Sequence, residues 1–432
     1  MRILVVGGGG REHALAWRLR RDRSVTDVVA APGNPGIAQV ARCMDVRADD
    51  HDGLIGLARR ERVDLVVVGP EAPLVAGLAD EMEASGVAVF GPSAAAARLE
   101  GSKAFAKDLM LRADVPAARS ATFTRRDWEE GPSGVLSFLD ELGGPAVVKA
   151  DGLAAGKGVV VAETRDGAAE AVEAALGRGA FGEAGASVVI EERLEGPEVS
   201  AFALTDGRRV APLGFAQDAK RIGDDDTGPN TGGMGAFSPV PSVDASTAER
   251  IRAEVLERTV AAMAAAGIPY RGVVYAGLML TEDGPKVLEF NCRFGDPETQ
   301  ALMPLLATDP AERLLACAQG ALVDDAIELD ALACVTVVVA SGGYPGDHRT
   351  GFEIAGLGEA ASVEGATVFH SGTAERRGRV VTAGGRVVSV SAVGGSLAEA
   401  RDRAYEAASH VGFEGRYHRT DIAALAAKEE GT

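Results

Sequence analysis

Glu289 and Asn291 stand two residues apart at the end of a run, Lys286–Phe290, that reads as a strand. Side chains two apart on a strand leave the same face, so a carboxylate and an amide oxygen project together while Phe290 points the other way. Oxygen ligands at that spacing suit Mg2+ (or Mn2+), which takes one or two protein groups and leaves its other positions to water and phosphate oxygens. Taken alone, the pair could equally be the solvated face of an edge strand. Arg293 shifts the balance, because it keeps a guanidinium beside the same phosphates, and Gly295 and Asp296 continue the segment.

Two glycine-rich segments could hold anions. Gly7-Gly8-Gly9-Gly10 follows an apolar strand and opens a helix, which leaves backbone N–H groups free for a negative charge. It fails as a dinucleotide fingerprint: counted from Gly7 the third glycine falls on Glu12, counted from Gly8 it falls on His13, and the second strand ends in Ala30-Ala31-Pro32 without a carboxylate for a ribose. Gly152–Gly158 fails as a P-loop, since three residues rather than four separate Gly152 from Gly156, and Gly158 replaces the hydroxyl residue expected after Lys157. Between Val147–Lys149 and Val159–Ala162 it reads instead as a hairpin closing over phosphates. The chain has only seven lysines against thirty-seven arginines, and Lys103, Lys149, Lys157 and Lys220 all lie in motif-like segments.

The elements that must position these groups fall into three styles of sequence. Up to residue 101, short apolar runs at Ile3–Val6, Val28–Ala31, Val63–Val68 and Val87–Phe90 alternate with helical patterns near Glu12–Arg21, Asp52–Arg60 and Ala72–Ser85. That alternation predicts a doubly wound parallel α/β unit whose binding loops sit at the strand C-terminal ends. Residues 102–318 form a second unit, with a small α+β lid over about 122–191 carrying strands at Val147–Lys149, Val159–Ala162 and Val188–Glu191 and a helix near 166–178. Within it, 197–217 reads as a hairpin and 220–235 as a polar loop too glycine-rich for regular structure. A helix opens on a capping box at Ser246-Thr247-Ala248-Glu249, carries Ile251, Val255, Thr259 and Met263 on one face and stops at Gly267; a strand follows at Val273–Thr281. Residues 319–432 read as a smaller, β-rich C-terminal unit with a helix over 396–410.

Whole-chain properties narrow the class. A length of 432 residues suggests several cores, and a net charge of −19 repels polyanions, so nucleic acid is not the expected partner. No stretch of 18 apolar residues and no signal-peptide pattern is present, which predicts a cytoplasmic protein without a membrane partner. Four cysteines without a C-x-x-C pair argue against zinc or a disulfide framework.

The stretch RFGDPETQAL at 293–302 resembles the signature of the phosphoribosylamine-glycine ligase family of the ATP-grasp superfamily. GGGGREHALAW at 7–17, GPEAPLVAGL at 69–78, GPSAAAARLEGSKAFAKD at 91–108, VVKADGLAAGKGVVVA at 147–162, TGPNTGGMGAFSP at 227–239 and GGYPG at 342–346 resemble it in the same order. The resemblance implies an ATP-dependent ligase that joins glycine to 5-phosphoribosylamine through a glycyl phosphate in purine biosynthesis. It also implies a monomer or weak homo-oligomer and a reaction that requires no catalytic histidine. It implies ATP contacts from Lys103, Lys149, Gly156 and Lys157, an adenine-reading linker at Glu191, Glu192 and Leu194, and ribose contact from Glu198. Glu289 and Asn291 would hold the metal, and Arg293 and Lys220 would be catalytic. Gly8, Gly9, Gly10, Glu12, Glu71, Asp218, Asn230, Thr231, Gly232, Gly233, Met234, Gly295 and Asp296 would bind glycine and the sugar amine. Two departures stand out: Asp225 replaces the family's usual glycine, and Ile37 its usual threonine. Three rival readings are another ATP-grasp ligase or carboxylase, a dinucleotide-dependent oxidoreductase using Gly7–Gly10, and a nucleotide-binding regulator without turnover.

Overall fold

β-Branched runs separated by helices build a five-stranded parallel sheet in the first hundred residues, in the order Arg42–Cys43, Asp27–Pro32, Arg2–Gly7, Leu65–Val68, Val89–Phe90. The computed structural model describes residues 1–152, 158–323 and 327–430. The chain order reverses on either side of Arg2–Gly7, so the loop after that strand lies at the switch point where such sheets bind ligands. The helix expected over 72–85 is two helices, Glu71–Val75 and Leu78–Ala84, because Gly77 adopts a left-handed φ of +98° between them. Ile37 is wholly buried in the core of this unit, so the side chain at that position does not reach a ligand.

The lid is a four-stranded antiparallel sheet ordered Ser120–Thr124, Ser187–Glu192, Ala146–Ala150, Val159–Ala162. The tip of its glycine-rich hairpin, with Gly156 and Lys157, lies outside the described residues. A second, eight-stranded sheet runs in the order Gly284–Asn291, Arg271–Thr281, Glu198–Asp206, Val210–Asp218, Gly235–Ser238, Ala333–Ala340, Arg386–Gly394, Ala366–His370. It crosses residue 319 without a break: Gly235–Ser238 pairs with Val210–Asp218 on one side and with Ala333–Ala340 on the other.

Two local expectations are corrected. The helix over residues 245–265 is capped by Asp244, whose carboxylate accepts the Thr247 N–H at 2.7 Å, rather than by Ser246. Ile251, Val255, Thr259 and Met263 are buried along it as expected. The segment 220–235 is not an unstructured loop. Arg221–Gly223 and Thr227–Asn230 pair as an antiparallel ribbon around a turn at Asp224–Asp226. Asp225 occupies the left-handed region at φ +54°, ψ +34°, which explains why glycine suits that position.

The C-terminal unit docks on the N-terminal one through a buried pair of histidines. The His370 N–H donates to His13 Nδ1 at 2.8 Å, so that nitrogen must stay unprotonated. Burial, reinforced by His370, lowers His13 to about 3, and burial lowers His370 to about 4. Both folded values lie below the ordinary 6.5, so the unfolded chain binds more protons below that pH. The stabilisation is whole above pH 6.5 and is lost as pH falls toward 4 and then 3, by about 1.4 kcal/mol per unit per group. Thermal melts between pH 7.5 and 5.5 should show a decline that is shallower in His13→Gln; identical slopes would reject this account.

Candidate active site

A cleft of about 650 Å3 opens where the N-terminal unit, the lid, the long sheet and the C-terminal unit meet. Glu289 and Asn291 line it together, and Phe290 packs into the adjoining core. Glu289 is exposed to the cleft; desolvation by the surrounding walls opposes its charge, yet Lys149, Lys220, Lys103 and Arg293 around it hold its carboxyl below the ordinary range. Among the described residues no three His, Cys, Asp or Glu side chains gather to hold a metal by themselves. Glu289 and Asn291 supply one carboxylate and one amide oxygen, a donor set that would suit Mg2+ with the rest of its shell made up by water and phosphate oxygens.

Arg293 is fixed by carboxylates from two directions. Its Nε lies 3.3 Å from Glu71, its Nη2 lies 3.3 Å from Glu100, and it also donates to the Phe294 carbonyl at 3.3 Å. Burial works against Glu71, but Arg293 brings its carboxyl below the usual value. Glu100 in turn accepts the Cys292 N–H at 2.7 Å, tying the strand end to the helix Ala94–Gly101.

Lys103 and Lys107 line the cleft, and Lys149 shares the Glu191 carboxylate with Lys107. Lys103 Nζ donates to the Gly152 carbonyl at 3.3 Å, and burial depresses its pKa despite Glu289. Lys149 Nζ donates to the Leu288 carbonyl at 2.9 Å and lies 3.1 Å from Glu191, which is 3.3 Å from Lys107 on its other side. Lys107 Nζ is buried without an acceptor in hydrogen-bond geometry, and burial lowers its pKa below the ordinary lysine value. A buried ammonium with spare donors on a residue that lines the cleft is a fitting partner for phosphate oxygens. Lys107 was missed because nothing in a helical segment shows which lysine a distant carboxylate will hold.

The expected adenine linker is only partly available. The Glu191 backbone sits between Ser120 and Val147 in the lid sheet, and Glu192 spends its N–H on Arg119 and its carboxylate on the Arg119 N–H at 2.9 Å each. Leu194 lies past the strand end.

The floor carries the remaining polar groups. Lys220 joins Asp218 at 2.6 Å and Glu198 at 2.9 Å, so the carboxylate assigned to ribose already has a cation partner. Tyr275 donates to Glu298 at 2.6 Å and accepts from Ser200 at 2.9 Å. Asn230, Thr231 and Gly232 also line the cleft. Gly233, at φ +101°, packs so closely on Pro297 that a Cβ would come within 2.4 Å of it, and Met234 is fully buried behind. Arg386, from the C-terminal unit, donates to the carbonyls of Gly232, Gly233 and Asp296, while Tyr344 accepts the Gly232 N–H at 3.0 Å. Burial opposes the Asp296 charge, but Arg386 and Arg11 keep its carboxyl below the usual range.

The Gly8–Gly10 loop lies beside Asp296 but is less open than the sequence implies. The Gly9 N–H is given to Glu12 at 2.6 Å, and Arg11 pairs with the same carboxylate at 2.5 Å. Glu12 is buried against Gly7 and Gly69, where it caps the helix. Gly10 packs on Gln300 and Ser371, and Gly295 on Glu298. Of the residues expected to touch substrate, Glu71, Asp218, Asn230, Thr231, Gly232 and Asp296 line the cleft, whereas Gly8–Gly10, Glu12, Gly233, Met234 and Gly295 are not among its lining residues.

Family models place this arrangement. The N domain of phosphoribosylglycinamide synthetase matches residues 1–100, its ATP-grasp (A) domain residues 101–299 and its C domain residues 334–425. The chain belongs to the phosphoribosylglycinamide synthetase family. It is 52% identical over 430 residues to a phosphoribosylamine–glycine ligase of Streptomyces coelicolor, covering 99% of this chain and 100% of that one. A Brucella melitensis protein of the same name is 47% identical over 430 residues, covering 100% and 99%. The crystal structure of the phosphoribosylamine–glycine ligase of Thermotoga maritima superposes with a TM-score of 0.82 at 33% identity, covering 98% of this chain and 100% of that one. The biotin carboxylase domain of a Hydrogenobacter thermophilus 2-oxoglutarate carboxylase shares the fold, with a TM-score of 0.72 at 18% identity, over 96% of this chain and 91% of that one. Among the described residues no helix is long and apolar enough to cross a membrane.

Proposed function

We propose that this chain joins glycine to 5-phosphoribosylamine at the expense of ATP, giving glycinamide ribonucleotide, ADP and phosphate. The observation that carries the reading is one cleft lined by Lys103 and Lys107, by Glu289, Asn291 and Arg293, and by the ribbon end Asn230–Gly232. Its full-length likeness to proteins bearing the ligase name supports the choice of substrates.

In this reading Lys149 holds the ATP phosphates from the lid side, and Lys103 and Lys107 from the helix that precedes the lid. Glu289 and Asn291 would hold Mg2+ or Mn2+, which would supply positive charge against the phosphates. Arg293, locked between Glu71 and Glu100, faces the phosphoryl group as the glycine carboxylate takes it up to form a glycyl phosphate. Asp218, Lys220 and the Asn230–Gly232 backbone orient glycine and the sugar amine, whose nitrogen displaces phosphate from the acyl carbon. Both steps depend on alignment and charge screening, and neither needs a histidine. His13 and His370 are buried in the interface away from the cleft.

Omitting each substrate in turn tests the reading. ADP release should require both glycine and phosphoribosylamine; release that ignores glycine would reject it. Glu289→Gln should keep the fold and shift the Mg2+ titration to higher concentration by about tenfold, the order seen when one ligand or its support is lost. An unchanged titration would remove Glu289 from the metal site.

A further inference from the structure

The ribbon that ends in Asn230 is gripped from outside the cleft by the tail segment 417–421. Arg419 is 4% exposed and makes a two-point contact with Asp421 at 2.6 and 2.7 Å. Its Nη1 donates to Asp226 at 2.6 Å and to the Arg221 carbonyl at 3.1 Å. Thr420 donates its hydroxyl to Asp224 at 2.5 Å and its N–H to the same carboxylate at 2.8 Å. Asp421 accepts the Asp225 N–H at 2.9 Å, which holds the turn in its left-handed conformation.

These contacts lead to the substrate side through the backbone. Arg221 is the ribbon partner of Asn230, and the Lys220 carbonyl accepts both the N–H and the hydroxyl of Thr231, at 2.7 and 2.8 Å. A displacement at Arg221 therefore moves Asn230 and Thr231, which line the cleft, whereas Arg419 does not line it. One guanidinium also offsets the Asp226 and Asp421 carboxylates, with Asp224 and Asp225 in the same turn. Burial opposes the Asp421 charge, yet Arg419 holds its carboxyl down to about 2.

We propose that Arg419 is a positioning residue, which sets the place of Asn230–Gly232 against the non-nucleotide substrates through the Asp224–Asp226 turn and the Arg221 backbone. The inference rests on the proposed ligase function. It differs from a general packing role in being selective, because the phosphate lysines belong to other elements.

Steady-state kinetics on the full chain separate the possibilities. Arg419→Gln should lower kcat/KM for glycine and phosphoribosylamine by about 10- to 100-fold, the effect of a small misplacement, while KM for ATP moves by less than about twofold. Thr420→Val, which removes only the hydroxyl held by Asp224, should show the same selectivity at several-fold strength, and it decides the matter if Arg419→Gln does not fold. Loss shared equally by all three substrates, or constants unchanged in both folded variants, overturns the positioning role. A wild-type chain whose ADP release ignores glycine overturns the ligase reading itself, a result distinguishable from the others.

Discussion

Arg293→Ala is expected to lower kcat by about 100- to 1,000-fold, the cost of removing one preorganised group that stabilises transition-state charge. The magnitude follows from how firmly the guanidinium is held. Glu71 and Glu100 each approach it at 3.3 Å, and the Phe294 carbonyl takes a further N–H, so no reorientation is needed when charge develops on the transferring phosphoryl group. Burial works against its positive charge, but Glu100 and Glu71 more than compensate, so it stays a permanent cation. Arg293→Lys should recover little, since a single ammonium cannot span two carboxylates and still face the cleft. Single-turnover ADP formation at saturating ATP isolates the effect from binding. A wild-type rate in either variant would exclude Arg293 from the chemistry. Loss of Arg293 also removes the guanidinium 3.3 Å from the Glu100 carboxylate, so the variants should melt earlier as well.

The parts of the site visible in sequence are those whose logic is local. Glu289 and Asn291 could be paired from strand periodicity, and the parallel sheet from alternating apolar runs, because both depend on residues within a few positions. The ribbon at 221–230 was hidden because its stability comes from Arg419, Thr420 and Tyr417, almost two hundred residues away. Arg386 and Tyr344 close over Gly232 from the C-terminal unit for the same reason. At Gly8–Gly10 the spacing shows that a helix begins there, but not that Glu12 folds back to take the Gly9 N–H. In each case a side chain chooses between a ligand and a protein partner, and sequence spacing does not contain that competition.

Glu191→Gln should destabilise the chain by about 3 to 5 kcal/mol, the usual cost of leaving a buried charge without its partner. Glu191 is 1% exposed, and one of its oxygens serves Lys107 at 3.3 Å and Lys149 at 3.1 Å, so two ammonium groups share a single carboxylate. With a neutral glutamine, Lys149 keeps the Leu288 carbonyl, while Lys107, which has no acceptor in hydrogen-bond geometry among the described residues even in the wild type, loses the carboxylate charge 3.3 Å away. The sign of the pH dependence follows. Burial already lowers the folded pKa of Lys107 below 10.5, and the substitution lowers it further, so the folded variant binds fewer protons than the unfolded chain in that interval. Its stability therefore rises as pH increases toward 10.5, and the deficit against wild type narrows in alkaline buffer. ATP supplies negative charge to the same lysines, so it should raise the melting temperature of the variant more than that of the wild type. Equal melting temperatures without nucleotide would show that Lys107 and Lys149 do not depend on Glu191. A wild-type-sized ATP shift in a destabilised variant would show instead that the phosphates lie elsewhere in the cleft.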